Sequence, residues 1–240
     1  MSDVSASQGS ASRGSALHGA ACHSAGHPRP HDWPGLEDAV HHGQRLFRQV
    51  LGAMAEPGTV AEVHLAPLPE GVAMSSAAWG TLLALCDLDT RVWIDDELQR
   101  DGLAEAIAFH TGSRIVTDAG QADFALLTLQ SCQELPGFAE GSDTYPDRST
   151  TLIVVLDDLA EAGDRRRIAG NEPWRLRGPG IFDSRMLELD ATAAALMTRL
   201  AANRASFPLG LDAILTSAGR LTAIPRSTRI ERVSGVEEDA

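Results

Sequence analysis

No lysine occurs anywhere in the 240 residues, so all twenty basic residues are arginines. The absence removes amine chemistry: no imine can form with an aldehyde cofactor, and no G-x-x-x-x-G-K-[ST] phosphate cradle is possible. Arginine stays charged in every setting and grips phosphate or carboxylate with a planar fork, so anion recognition survives. A coding bias accounts for the composition equally well, and the absence therefore excludes mechanisms without selecting one. Cysteine is scarce as well. Cys22, Cys86 and Cys132 are odd in number and far apart, with no C-x-x-C pair, which speaks against a disulfide framework or a thiolate zinc site and for a reducing compartment. No basic segment followed by an apolar run opens the chain, and nowhere do eighteen apolar residues follow one another. Neither export nor membrane spanning is expected, and the cytoplasm is the expected location. Also missing are G-x-G-x-x-G after a strand, H-E-x-x-H and G-x-S-x-G.

What is present suffices for one domain of ordinary size, with 43% hydrophobic residues. The 33 acidic residues outweigh the basic ones to give a formal charge of -13, which repels nucleic-acid backbones and anionic membranes. Residues 1–33 are rich in Ser, Ala, Gly and His without a hydrophobic period, and read as a disordered tail. Its Cys22, His23, His27 and His31 invite a metal reading, but Pro28 and Pro30 prevent a helix that would align them, so no metal site is expected. Residues 34–233 read as a single α/β domain and 234–240 as a frayed acidic end.

Within the domain, Leu36, Val40, Gly43, Phe47, Val50 and Met54 fall on one helical stripe, widened by Ala39, Leu46 and Leu51. A strand is expected near 60–65, then a helix capped by Ser75 or Ser76, a strand over 90–94, and a third helix capped by Asp101 and ended by Gly112. The apolar runs 122–129 and 151–156 predict central strands covered on both faces. A polar excursion over 157–173 precedes a short strand over 174–177 and the turn Gly178-Pro179-Gly180. Asp190 should cap a helix carrying Leu196, Met197 and Leu200, before a closing hairpin from 212–216 and 221–224. Helices alternating with strands predict a mixed, mostly parallel sheet sandwiched between helices.

Few residues stand out chemically. His110 lies on the inward stripe of the third helix, seven residues after Leu103, and at a helix C-terminus, where the dipole favours the imidazolium. It serves either as a proton donor or phosphate contact, or as a cap on the last carbonyls. Asp87-Leu88-Asp89-Thr90 spaces two carboxylates to hold a Mg²⁺ with nucleotide phosphates, or to form a solvated turn. Asp212 sits in an apolar strand and needs a partner, with Arg226 available. Arg226 with Ser227 and Thr228 could equally hold a phosphate, and Arg165-Arg166-Arg167 makes a second basic spot or a solubilising run.

Several ordered blocks carry a resemblance. They are Phe47-Arg48 through Ala53-Met54-Ala55-Glu56-Pro57-Gly58, Leu82 through Trp93, Phe109-His110-Thr111-Gly112, and Thr151-Leu152-Ile153. Leu176-Arg177-Gly178-Pro179-Gly180-Ile181, Phe207 through Leu215, and Ala223-Ile224-Pro225-Arg226-Ser227-Thr228 complete the set. Together they resemble the PhnH family, a subunit of the carbon-phosphorus lyase core complex of bacterial phosphonate breakdown, over residues 36–232. Ser113-Arg114 departs from the small residue and proline expected after Gly112. The resemblance implies a three-layer α/β sandwich similar to the large domain of pyridoxal-phosphate (PLP) dependent transferases, without the cofactor, and a homodimer. It further implies partners, the G, I and J subunits, with which a phosphonate is joined to the ribose of ATP and adenine is released. It raises His110 above the capping reading. The competing expectation is a stand-alone small-molecule or nucleotide-binding protein using His110, Asp87, Asp89 and Arg226.

Overall fold

The computed structural model describes residues 28–161 and 171–233; the tail up to residue 27 with Cys22, the Arg165-Arg166-Arg167 run and the acidic end lie outside the described residues. In chain order come α1 (His41–Ala55), β1 (Ala61–Glu62), α2 (Ser76–Leu85), β2 (Arg91–Ile94), α3 (Leu103–Thr111), β3 (Arg114–Val116), β4 (Phe124–Thr128) and β5 (Thr151–Val155). There follow β6 (Ala160–Glu161), β7 (Asn171–Arg177), β8 (Arg185–Asp190), α4 (Ala194–Ser206), β9 (Asp212–Ser217), β10 (Arg220–Ile224) and β11 (Arg229–Arg232).

Seven strands form one sheet in the order β1-β10-β9-β5-β4-β2-β3. From β3 to β9 every pairing is parallel, and β10 and β1 close the other side antiparallel. The expected central strands β4 and β5 are central, as their unbroken apolar runs require. On one face Leu126, Ile153 and Ile214 pack beneath α1, α2 and α3. On the other, Leu127, Val154 and Leu215 meet Leu196, Met197 and Leu200 of α4 and the Trp174, Leu176, Leu187 and Leu189 side chains of a second sheet. That sheet, β11-β7-β8-β6, is antiparallel throughout.

The second sheet corrects the expectation of helices on both faces. Strands β8 and β11 lie in charged sequence, and in Arg185-Met186-Leu187-Glu188-Leu189-Asp190 only Leu187 and Leu189 are buried, half-buried strands that resemble surface loops. The expected strand over 60–65 shrinks to the edge pair Ala61–Glu62. Ser75 is the N-cap of α2, its hydroxyl accepting from the Ala78 N–H at 2.9 Å, and Asp190 accepts from the Thr192 N–H ahead of α4. Asp101 does not cap α3. The N-cap is Gly102, in a left-handed conformation; a capping side chain needs an extended backbone at that position.

Two further corrections concern the start of the domain. Trp33, expected in the tail, is 2% exposed and packs against Trp79 with ring centroids 4.9 Å apart and the planes tilted by 48°. Helix α1 buries Leu46, Val50 and Ala53, while Val40, Phe47 and Leu51 of the expected stripe are exposed. The helix has more apolar circumference than the sheet covers.

Candidate functional site

The parallel strands divide the candidate residues by edge. Asp87 and Asp89 precede β2, His110 precedes β3, and Asp212 opens β9 with Arg226 bonded to it. All four predicted site residues therefore stand at the amino edge of the parallel sheet. In open α/β sheets ligands gather at the opposite, carboxyl edge.

The Asp87 turn and the end of α3 form one junction. The Thr90 hydroxyl accepts from the Asp87 N–H at 2.8 Å and lies 2.9 Å from the Ser113 hydroxyl. Ser113 Oγ in turn donates to the Asp87 carbonyl at 3.0 Å, and Thr111 Oγ1 donates to Ser113 Oγ at 2.8 Å. Asp87 Oδ1 accepts from the Asp89 N–H at 3.0 Å, the local bond of an Asx turn. Gly112, left-handed at φ 77°, lies against Leu88, and a Cβ there would stand 2.5 Å from Leu88 Cδ2. The helix stop and the carboxylate turn are thus two halves of a single joint, with both carboxylates exposed to solvent.

His110 points to the chain entry rather than to Asp87. Its Nε2 donates to the Pro30 carbonyl at 3.1 Å, which fixes the proton on that nitrogen because a carbonyl only accepts. The ring meets Trp79 edge-on at 5.5 Å, and Trp79 Nε1 donates to the Pro34 carbonyl at 2.8 Å. Gly35 lies flat beside the imidazole, close enough that a methyl would touch Cε1 and Nδ1 at 3.5 Å.

Arg226 is fully engaged. Its backbone N–H and Nε donate to Asp212 Oδ1 at 2.7 and 3.1 Å, Nη2 to Asp212 Oδ2 and to the Ser149 hydroxyl, and Nη1 to the Pro146 carbonyl at 2.6 Å. The partnership of Asp212 with Arg226 expected from sequence is present, and both side chains are nearly buried. On the same edge Arg91 grips Asp123 with Nη2 to Oδ1 at 2.8 Å. Burial pushes the Asp123 carboxyl up, but hydrogen bonds from the Arg91 side chain and backbone outweigh it and hold the group below its ordinary value.

The carboxyl edge carries residues that sequence reading did not single out. Asp95, directly after β2, is buried. It accepts from the Thr128 N–H at 3.3 Å, the Thr128 hydroxyl at 3.1 Å and the Ser131 hydroxyl. The Thr128 hydroxyl also lies 3.0 Å from Glu97 Oε2. The available signal was an aspartate ending an apolar strand, in Trp93-Ile94-Asp95. Among the described residues no group of three or more His, Cys, Asp or Glu side chains is arranged to hold a metal ion. Further along this edge a cavity of about 470 Å³ opens at the ends of β5 and β9, lined by Glu62, His64, Asp158, Ser217 and Arg220. Ala218 at its mouth adopts φ 46°, a strained value for a residue with a Cβ. Its carbonyl accepts from the Ala77 N–H and the Ser76 hydroxyl at the start of α2. Cys86 and Cys132 are buried, and burial, more than any other cause, pushes both thiols up to about 12. Neither is a nucleophile at neutral pH.

The sequence model of a family described as "Bacterial phosphonate metabolism protein (PhnH)" matches residues 34–231. The chain belongs to the PhnH family. A Rhizobium meliloti (strain 1021) protein named "Alpha-D-ribose 1-methylphosphonate 5-triphosphate synthase subunit PhnH" is 33% identical over 198 residues, covering 81% of this chain and 93% of that protein. The "Putative C-P lyase subunit protein HtxG" of Stutzerimonas stutzeri is 26% identical over 192 residues, covering 78% and 85%. Membership gives the ordered blocks a place in the fold. Gly58 packs on Leu176, Leu88 on Gly112, and Asp212 binds Arg226, so several of the blocks that carried the resemblance meet in pairs. No helix among the described residues is long and apolar enough to cross a membrane.

Proposed function

We propose that this chain works as a subunit of a carbon-phosphorus lyase core complex. In that role it supports transfer of a phosphonate to the ribose of ATP with release of adenine, alongside the G, I and J subunits, and has little activity alone. The observation that carries this reading is the position of the family blocks. They lie at the amino edge and between layers, with Asp212 bonded to Arg226, and none of them lines the carboxyl-edge cavity. Such residues build a body for assembly. In this reading Arg226 is a clamp on β9, His110 is the candidate for a functional contact through Nδ1, and the exposed carboxylates of Asp87 and Asp89 are candidates for substrate binding. The same reading takes the fold as akin to the large domain of PLP transferases, the isolated chain as a homodimer and its compartment as the cytoplasm. A lysine-free chain could not keep Schiff-base chemistry.

Co-expression with the G, I and J subunits tests it: one stable particle containing this chain is expected. A chain that elutes alone while the other three assemble would refute the reading. One observation favours a second reading, a stand-alone ligand binder: the carboxyl-edge cavity lies where α/β proteins keep small molecules. Calorimetry of the isolated protein with ATP and with methylphosphonate separates the two, since absence of heat at millimolar ligand ends the second.

A further inference from the structure

Helix α1 carries an apolar face that nothing in the described chain covers. Val40, just before it, is 61% exposed, and Phe47 and Leu51 are 47% and 54% exposed. Their spacing of seven and then four residues puts them on one stripe. Between this stripe and α2 runs a groove of about 640 Å³, floored by Leu36, Gly43, Leu83 and Ala84. Helix α2 contributes only apolar and uncharged side chains along its length. The groove is therefore mostly apolar, with Gln44 and Arg48 the polar residues of its α1 bank, and its exposure is a cost that a lone monomer would carry for no return.

The charge beside the groove is opposite to that of the molecule. Helix α1 contains His41, His42, Arg45 and Arg48 and no acidic residue, in a chain of formal charge -13. His41 is held by Asp38 at 2.8 Å. Arg45 and Arg48 are exposed, and neither has an ion-pair partner among the described residues. At the far end of α1, Arg185 Nη1 bonds the Glu56 and Pro57 carbonyls and holds the β7–β8 turn in place. That turn bears Phe182, which is fully exposed.

Resting on the reading of this chain as a subunit, we propose that the α1–α2 groove seats an amphipathic helix of a different polypeptide, one whose apolar stripe is flanked by carboxylates. The apolar stripe would anchor in the groove at helical spacing, as helix-in-groove complexes do, and the carboxylates would meet Arg45 and Arg48. A second copy fits less well. A two-fold contact through this face would set the basic helix against itself. Nucleic acids and anionic membranes are repelled by the acidic remainder of the molecule.

The test substitutes residues whose side chains already face solvent. Phe47→Glu and Leu51→Glu, made separately, should keep the wild-type melting temperature, and each should drop out of the particle formed on co-expression with the G, I and J subunits. Leu88→Glu, on a still more exposed apolar side chain at the amino edge, should stay in it. Arg45→Glu with Arg48→Glu should weaken retention roughly tenfold or more, because it sets like charge against the flanking carboxylates. The proposal is overturned if both α1 variants remain in the particle. It is equally overturned if Leu51→Glu leaves the particle intact but converts a wild-type dimer to monomer. Sedimentation of the wild type, but not Leu51→Glu, with phosphatidylglycerol vesicles would also overturn it in favour of a lipid surface. If the wild-type chain itself never enters the particle, the subunit reading fails and takes this proposal with it, an outcome distinct from the others because no variant is needed to see it.

Discussion

At the scale of single residues, His110 shows how position and partner divide the explanation. Its inward placement was legible from its spacing to Leu103 and Ile107, but the partner, a carbonyl 80 residues earlier, was not, because long-range hydrogen bonds leave no local pattern. With Nε2 on the Pro30 carbonyl and an edge contact to Trp79, His110 ties the chain entry to α3. His110→Ala removes one hydrogen bond and one ring contact, a loss of about 1–2 kcal/mol. The expected result is a melting temperature lowered by roughly 3–6 °C. Growth on methylphosphonate should be scored beside it, since failure to grow without that loss of stability would assign His110 a chemical role instead. The cysteines give a second expectation. With thiols near 12 and buried side chains, Cys86 and Cys132 should resist iodoacetamide in native Cys22→Ser protein and both react after denaturation. Labelling of either in the native state would contradict the packing.

At the scale of elements, legibility followed hydrophobic pattern. Strands β4 and β5 announced themselves as continuous apolar runs, and the cap of α2 as Ser75 or Ser76, of which the structure takes Ser75. Strands β8 and β11 did not, because alternate charged residues on their outer face look like loop sequence. The Phe207-to-Asp212 block was legible as a helix stop, while the reason for it lies in α4. Asn203, buried in that helix, donates from Nδ2 to the Leu211 carbonyl at 2.7 Å and accepts from the Leu211 N–H at 3.1 Å. One side chain thus satisfies both backbone groups of the residue that leads into β9. Asn203→Ala strands two buried polar groups and should cost about 2–4 kcal/mol, read as a lower denaturant midpoint with an unchanged slope. Gly180→Ala should be worse, because a Cβ there would lie 1.8 Å from the Ala55 carbonyl oxygen at φ 79°. Loss of soluble expression is the expected outcome, and wild-type yield and melting would show that the β7–β8 turn and α1 are not in register as described.

At the scale of the whole molecule, the layers were legible but the sides were not. Alternation of helix and strand predicts a sandwiched sheet, yet nothing local says which loops fall on which edge, since that depends on strand order. The four residues chosen from sequence all landed on the amino edge, and Asp95 and the β5–β9 cavity, on the carboxyl edge, went unremarked. Charge is the property of the whole that sequence does disclose, and it supports a last expectation. The chain is strongly acidic, with a sequence pI near 4.9, so its self-repulsion vanishes close to pH 5 and solubility should be lowest there. Stability follows a different course. Asp123 is held below its ordinary value despite burial, through Arg91. Asp38 is lowered chiefly by the His41 backbone and Asp190 chiefly by the Thr192 hydroxyl. A carboxyl with a depressed folded-state pKa stabilises fully above its unfolded value, about 3.9, and loses that contribution as pH falls through the folded value. Melting temperature should therefore hold from pH 7 to about pH 5, through the solubility minimum, and fall below about pH 4. In Asp123→Asn the plateau should sit lower and the acid decline be shallower, because the group that loses its charge is gone. A wild-type decline centred near pH 6 would instead overturn the assignment of the acid decline to these carboxylates.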